Sequence, residues 1–89
     1  MEVKEVVKIA IDYVANVFSA ESPSNIGLEE ITFDEENECW KVTVGFSRPW
    51  DYQTPGIVAD MRPRQPNRQY KVVKVSDTDG KIKAIEIRE

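Results

Sequence analysis

The stretch CWKVTVGF, Cys39 to Phe46, constrains the fold more than any other part of the chain. Apolar side chains recur there at every second position, at Trp40, Val42, Val44 and Phe46. Lys41 and Thr43 occupy the intervening positions. This period of two is typical of a β-strand that buries one face and exposes the other. The chain therefore needs a second layer of structure to cover the apolar face of this strand.

The N-terminal segment from Val3 to Phe18 is the candidate for that layer. Its apolar residues fall at helical spacing, at Val3, Val6, Val7, Ala10, Tyr13, Val14 and Val17. Many of these residues are β-branched, which lowers the intrinsic helix propensity. We therefore expect a helix that depends on packing against a sheet and that ends before Pro23.

Three further segments are predicted as strands. Gly27 to Asp34 forms a hairpin with the strand at Cys39 to Phe46. Arg68 to Ser76 and Lys81 to Arg88 form a second hairpin, whose turn places Gly80 at a left-handed position. The alternation changes phase within both strands of this second hairpin, which indicates a β-bulge or a strand covered on both faces.

The predicted fold is α+β and a single domain over residues 1–89. An N-terminal helix packs on a four-stranded antiparallel sheet, in the order α-β-β-long loop-β-β. The sheet face opposite the helix would carry Lys41, Thr43 and Lys71 and be solvated. In an alternative arrangement, an apolar patch forms on that face and a homodimer covers it. The residues of that patch would be Val73, Val75, Ile85 and Ile87.

Charge and composition exclude several classes of function. The chain has 12 basic and 16 acidic residues and a net charge of −4, which argues against general attraction to nucleic acid or anionic lipid. Its longest apolar run is too short to span a bilayer. The N-terminus lacks a signal-peptide pattern, and a single cysteine, Cys39, cannot form an internal disulfide. These features predict a cytoplasmic protein without membrane attachment.

The residue types give little support to catalysis. There is no histidine, so the commonest general base and metal ligand is missing. Cys39 has no histidine to activate it, and we interpret it as a small strand residue. The acidic residues from Asp34 to Glu38 lack the spacing of a calcium loop and are better explained as a solvated turn. We predict no catalytic residue, no metal and no cofactor.

The long loop from Ser47 to Arg68 is the candidate functional segment. Its net charge is +2, which leaves −6 on the rest of the chain, and it contains four prolines. The predicted partner-binding residues are Arg48, Trp50, Asp51, Tyr52, Arg62, Arg64 and Arg68. Tryptophan, tyrosine and arginine are enriched in interface hot spots, and prolines reduce the entropy lost on binding. In the competing structural interpretation, Trp50 covers the end of the sheet and the arginines pair with the acidic surface.

A resemblance to known small modules adds to this interpretation. The pattern W-x-V-x-V followed by Y-x-V-x-x-V-x-x-x-D-G-x-I resembles cystatin-like α+β modules, including PepSY-type domains, and the layout is similar to gas vesicle accessory protein O. The matching positions are Trp40, Val42, Val44, Tyr70, Val72, Val75, Asp79, Gly80 and Ile82. The resemblance covers most of the chain and implies a small α+β fold with a non-catalytic role.

Three functional hypotheses follow. The leading one is a small non-enzymatic binding or accessory module whose loop engages a protein partner. The second is a small-molecule-binding domain or enzyme that uses a pocket between helix and sheet, with Tyr13, Tyr70 and Asp60 as its polar groups. The third is a homodimeric structural protein that pairs through its open sheet face.

Overall fold

A computed structural model describes residues 1–49 and 68–88 of the chain. The elements are a helix α1 (Val3–Val17), a short 3-10 turn (Ser19–Glu21), and four strands: β1 (Ser24–Asp34), β2 (Cys39–Ser47), β3 (Gln69–Ser76) and β4 (Ile82–Ile87). The strands form one open antiparallel sheet in the order β1-β2-β3-β4, and α1 lies across β1, β2 and β3. This architecture confirms the predicted α+β fold and its order of elements.

The core lies between one stripe of α1 and the two central strands. Val6, Ala10 and Val14, spaced four residues apart on the helix, are completely buried. They pack with the buried side chains of the central strands, Val42, Val44, Phe46, Val73 and Val75. Burial of each valine or phenylalanine contributes roughly 1.5–3 kcal/mol, which offsets the weak helix propensity of a β-branched helix.

The far face of the sheet differs from the prediction in two respects. Lys71 lies opposite Val44 in the register, so it belongs to the helix face, and its Nζ is 5.6 Å from the centre of the Phe18 ring. The helix has ended by Phe18, which leaves room for a lysine to lie over that ring. Thr43 does lie on the far face, but it is buried rather than solvated.

The changes of phase predicted in the two strands have different origins: β4 contains a β-bulge, whereas β3 has none and carries Val72 on the far face and Val73 on the helix face. The pairing of β2 with β3 is continuous, whereas Lys74 pairs with Ala84 and Val75 pairs with Ile82. Lys83 is the extra residue between these two pairs, so Ile82 and the later isoleucines all reach the helix face. Val73, Val75, Ile85 and Ile87 therefore lie on the helix side of the sheet and do not form an apolar patch on the far face.

Substitution of two phenylalanines, one buried and one partly exposed, tests this assignment of the core. We expect Phe46→Ala to lower the free energy of unfolding by about 3–5 kcal/mol, because it removes a fully buried ring and leaves a cavity. Phe33→Ala is the matched control, since the Phe33 ring is 40% exposed and packs edge-on against Trp40. Its expected cost is about 1–2 kcal/mol. Urea unfolding followed by circular dichroism measures both, and equal losses would contradict this core.

Candidate functional site

The predicted functional loop leaves and re-enters the sheet at one end. Phe46 of β2 pairs with Gln69 of β3, so the segment between them closes on two neighbouring strands. Arg48 and Arg68 are in the described part of the chain and stand at the two ends of the loop. The other predicted site residues lie outside the described residues: Trp50, Asp51, Tyr52, Arg62 and Arg64. We call the region around Arg48 and Arg68 the loop base.

Arg48 is held by the segment that joins α1 to β1. Its Nη1 lies 3.4 Å from Oε1 of Glu21, the last residue of the 3-10 turn. Both side chains are partly buried. Ser22 follows with a left-handed backbone, at a φ of 48°, and directs the chain from the turn into β1. This ion pair fixes the start of the loop to the turn after the helix.

Arg68 is held by β1 at the other end of the loop. Its Nη2 donates a hydrogen bond of 2.8 Å to the carbonyl oxygen of Asn25 and lies 3.5 Å from Oε2 of Glu29. Asn25 has a φ of 53°, in the left-handed region that asparagine tolerates better than most residues. Glu29 is the extra residue of a β-bulge, because Leu28 pairs with Val44 and Glu30 pairs with Thr43. Such a bulge re-aims a side chain, and here it brings Glu29 to Arg68.

Gly45 makes room for this ion pair. A Cβ atom at Gly45 would lie 2.9 Å from both Nη2 of Arg68 and Oε2 of Glu29. Because these two side chains cross directly over the backbone of β2, a residue without a side chain suits position 45. The loop base is therefore built from charged groups of β1 and the loop that meet over a glycine of the strand between them.

The contacts of the loop base decide what its two arginines can do. Both guanidinium groups are engaged by carboxylates of the same chain, through Glu21 and Glu29. For Arg48 and Arg68, this arrangement matches the structural interpretation, in which arginines pair with the acidic surface. Their role in binding a partner stays a prediction. The described contacts make them anchors that fix where the loop starts and ends.

The carboxylate of Asp34, at the end of β1, stabilises the acidic turn that follows it. Oδ2 of Asp34 accepts a hydrogen bond of 2.9 Å from the Asn37 side chain, and its Oδ1 accepts from the backbone amides of Glu36 and Asn37. These bonds, with that to the Asn37 side chain foremost, hold the pKa of Asp34 below its ordinary value of 3.8. In residues 1–49 and 68–88, no three potential metal ligands come together.

Cys39 lies at the start of β2 and is 2% exposed. It lines a hollow of about 220 Å³ together with Asn37, Lys74 and Lys83. This volume is below the roughly 300–1,000 Å³ of typical small-molecule sites. The position of Cys39 is consistent with a small residue packed within a strand.

The structure does not bring together the polar residues of the predicted helix–sheet pocket. Tyr13 belongs to α1, whereas Tyr70 lies opposite Gly45 on the far face of the sheet. Asp60 is outside the described residues. A different groove, of about 540 Å³, runs between α1 and the edge strand β1. Its lining residues are Val3, Lys4, Val7, Lys8, Ile11, Asp12 and Leu28.

Sequence reasoning missed this groove, although α1 carries a signal for it. Val3, Val7 and Ile11 are spaced four residues apart and form a second apolar stripe beside the buried stripe of Val6 and Ala10. Two adjacent apolar stripes make the apolar face of a helix wider than packing against one sheet requires. No comparable local pattern in the sequence indicates that Leu28 of β1 lines the groove.

Comparisons with known proteins do not assign the chain to a family. No protein-family model, no curated protein and no solved structure matches it. Within the described ranges, no helix has both the length and the apolar character needed to cross a membrane.

A double-mutant cycle tests the crossing of side chains at Gly45. We expect Gly45→Ala to cost about 1 kcal/mol of unfolding free energy, because the new methyl group displaces Arg68 and Glu29. In an Arg68→Ala background the same change should cost much less, since Glu29 is then free to turn away. Urea unfolding of the four proteins gives the coupling energy. An identical cost of Gly45→Ala in both backgrounds would contradict the proposed role of this glycine.

The turn at Asp34 predicts a specific dependence of stability on pH. Because folding lowers the pKa of Asp34, its contribution is present above the ordinary value of 3.8 and is lost as the pH falls through the lower folded value. Asp34→Ala should reduce stability at neutral pH and flatten the loss below about pH 4. Glu35→Ala, which removes the same charge from the same turn, is the control. Urea midpoints between pH 2.5 and 7 that fall in parallel for all three proteins would contradict the prediction.

Proposed function

We propose that this protein is a small non-enzymatic binding or accessory module of the cytoplasm that captures a protein partner through the loop from Ser47 to Arg68. The observation that supports the proposal most directly is the anchored loop base. Arg48 and Arg68 are tied to Glu21 and Glu29, so the loop begins and ends at fixed points. A binding loop held at both ends loses less conformational entropy when its partner binds.

The composition of the loop supports a protein partner. Trp50, Tyr52, Arg62 and Arg64 combine the residue types that dominate interface hot spots. The arginines at positions 62 and 64 are additional to the two that pair at the loop base, and they suit carboxylates on a partner surface. A partner with an acidic patch next to an apolar pocket has the matching chemistry. Nucleic acid fits less well, because the rest of the chain carries a net charge of −6.

Two loop substitutions test the proposal. We expect Trp50→Ala and Arg62→Ala each to weaken partner binding at least tenfold, the effect of removing a hot-spot side chain. The partner is first identified by crosslinking in cells of the source organism and is then purified for calorimetric titration. Lys81→Ala is the matched control, because it removes an exposed charge near the opposite end of the sheet.

Thermal unfolding distinguishes a loop that recognises a partner from a loop that stabilises the fold. If the loop is a recognition element, the Tm of both loop variants stays within a few degrees of that of the parent protein while binding falls. If Trp50→Ala lowers the Tm as strongly as a core substitution, Trp50 is part of the fold and the structural interpretation replaces this proposal.

A further inference from the structure

The groove between α1 and β1 leaves apolar side chains in contact with water. Val3 is 46% exposed and Leu28 is 42% exposed, while Val7 and Ile11 are half-buried between them. The groove lies at an edge of the sheet, because β1 pairs with β2 on one side only. It therefore has room for an element from another molecule next to α1. Adjoining exposed apolar side chains are a common feature of interaction sites.

We propose that a second copy of this chain fills the groove, with the two α1 helices antiparallel about a two-fold axis. An axis at the level of Val7 and Lys8 sets Val3 against Ile11 of the partner subunit. The same axis sets Lys4 against Asp12 of the partner subunit. Each pair matches in height to within one residue, about 1.5 Å along the helix. The centres of the apolar stripe and of the charged stripe beside it, Val7 and Lys8, are thus one residue apart, so a single two-fold axis serves both.

The order of charges along the helix favours a second copy over other occupants. The charged stripe runs Lys4, Lys8, Asp12, so a cation stands at one end and an anion at the other. A two-fold axis turns this order into two opposite-charge pairs, as a self-complementary interface requires. A fatty-acid-like anion would be attracted by Lys4 and repelled by Asp12.

The existing ion pairs are compatible with this arrangement. Among the described residues Lys4 forms no salt bridge, so its ammonium group is available to a partner. Lys8 lies next to the proposed axis and therefore near its own copy. Its Nζ is 2.8 Å from Oδ2 of Asp12, and this pairing reduces the repulsion between the two lysines.

The size of the surface sets the expected strength of the dimer. One helix flank and one strand edge form an interface near the lower end of the range for specific complexes, below about 1,200 Å² in total. A small interface of this kind suits a weak dimer, with a dissociation constant on the order of 10–100 μM. The dimer should be evident by sedimentation equilibrium at 100 μM chain and largely dissociated at about 1 μM.

Charge reversal provides the decisive test. Lys4→Glu places two acidic groups together at both ends of the interface, and it should weaken the dimer about tenfold since the pair occurs twice. Asp12→Lys should also weaken it. The double variant Lys4→Glu/Asp12→Lys restores opposite charges and should recover most of the affinity. An equimolar mixture of the two single variants should recover it as well.

The following comparisons control for side effects of the charge-reversal variants. Asp12→Lys also removes the pair with Lys8, and in the double variant the carboxylate at position 4 can pair with Lys8 instead. The equimolar mixture controls for this, because its Asp12→Lys chain recovers no such pair and can regain affinity only through contacts between the two chains. Lys81→Glu makes the same charge change outside the groove and should leave dimerisation unaltered. Leu28→Ser removes the apolar contact from β1 without a charge and should weaken the dimer at least fivefold. Circular dichroism confirms that each variant is folded.

Three results would overturn the proposal. The first is a monomer at all concentrations up to 500 μM. The second is a dimer that Lys4→Glu and Leu28→Ser leave unaltered, because the interface would then lie on another surface, such as the open sheet face. The third is a monomer that binds dodecanoate with an affinity that Leu28→Ser reduces, which would make the groove a site for an aliphatic ligand. None of these depends on the loop from Ser47 to Arg68.

Discussion

The structure depends on the packing of one helix stripe against β2. Val6, Ala10 and Val14 cover the valines of this strand, and the helix has little intrinsic propensity to form without them. β2 is also buried on its other face at Thr43 and Gly45. On this second face, Glu29 of β1 meets Arg68, the residue that precedes β3, over Gly45. The contact of Arg68 with Glu29 therefore depends on how β2 is buried.

Local periodicity was enough to predict the elements and their order, because a period of two and a period near 3.6 are properties of short segments. The predicted face of Lys71 is wrong, because periodicity carries no information about where the covering helix ends. A lysine is accommodated on an apolar face where the covering helix has already ended and an aromatic ring is near, as at Phe18. The bulge at Lys83 was visible as a change of phase, but only the pairing with β3 assigns it to β4.

The candidate site was predictable in its residue types and not in its contacts. Arginines at the two ends of the loop stand out in the sequence, yet Glu21 is 27 positions from Arg48 and Glu29 is 39 positions from Arg68. No local pattern connects such residues, and the bulge that aims Glu29 is a feature of strand register. The groove shows the same limit, because the stripe on α1 is local whereas the placement of Leu28 beside it depends on how β1 pairs.

The two proposed surfaces have a definite geometric relation. The loop base lies near the C-terminal end of α1, where Phe18 packs against Phe46 at a ring separation of 5.2 Å. Antiparallel helices in a dimer would therefore place the two loop bases at opposite ends of the assembly. Each loop would bind its own partner, and a partner with repeated sites would gain affinity from bivalence. Loss of the dimer would then weaken capture of a repeated partner and leave capture of a single site unaltered.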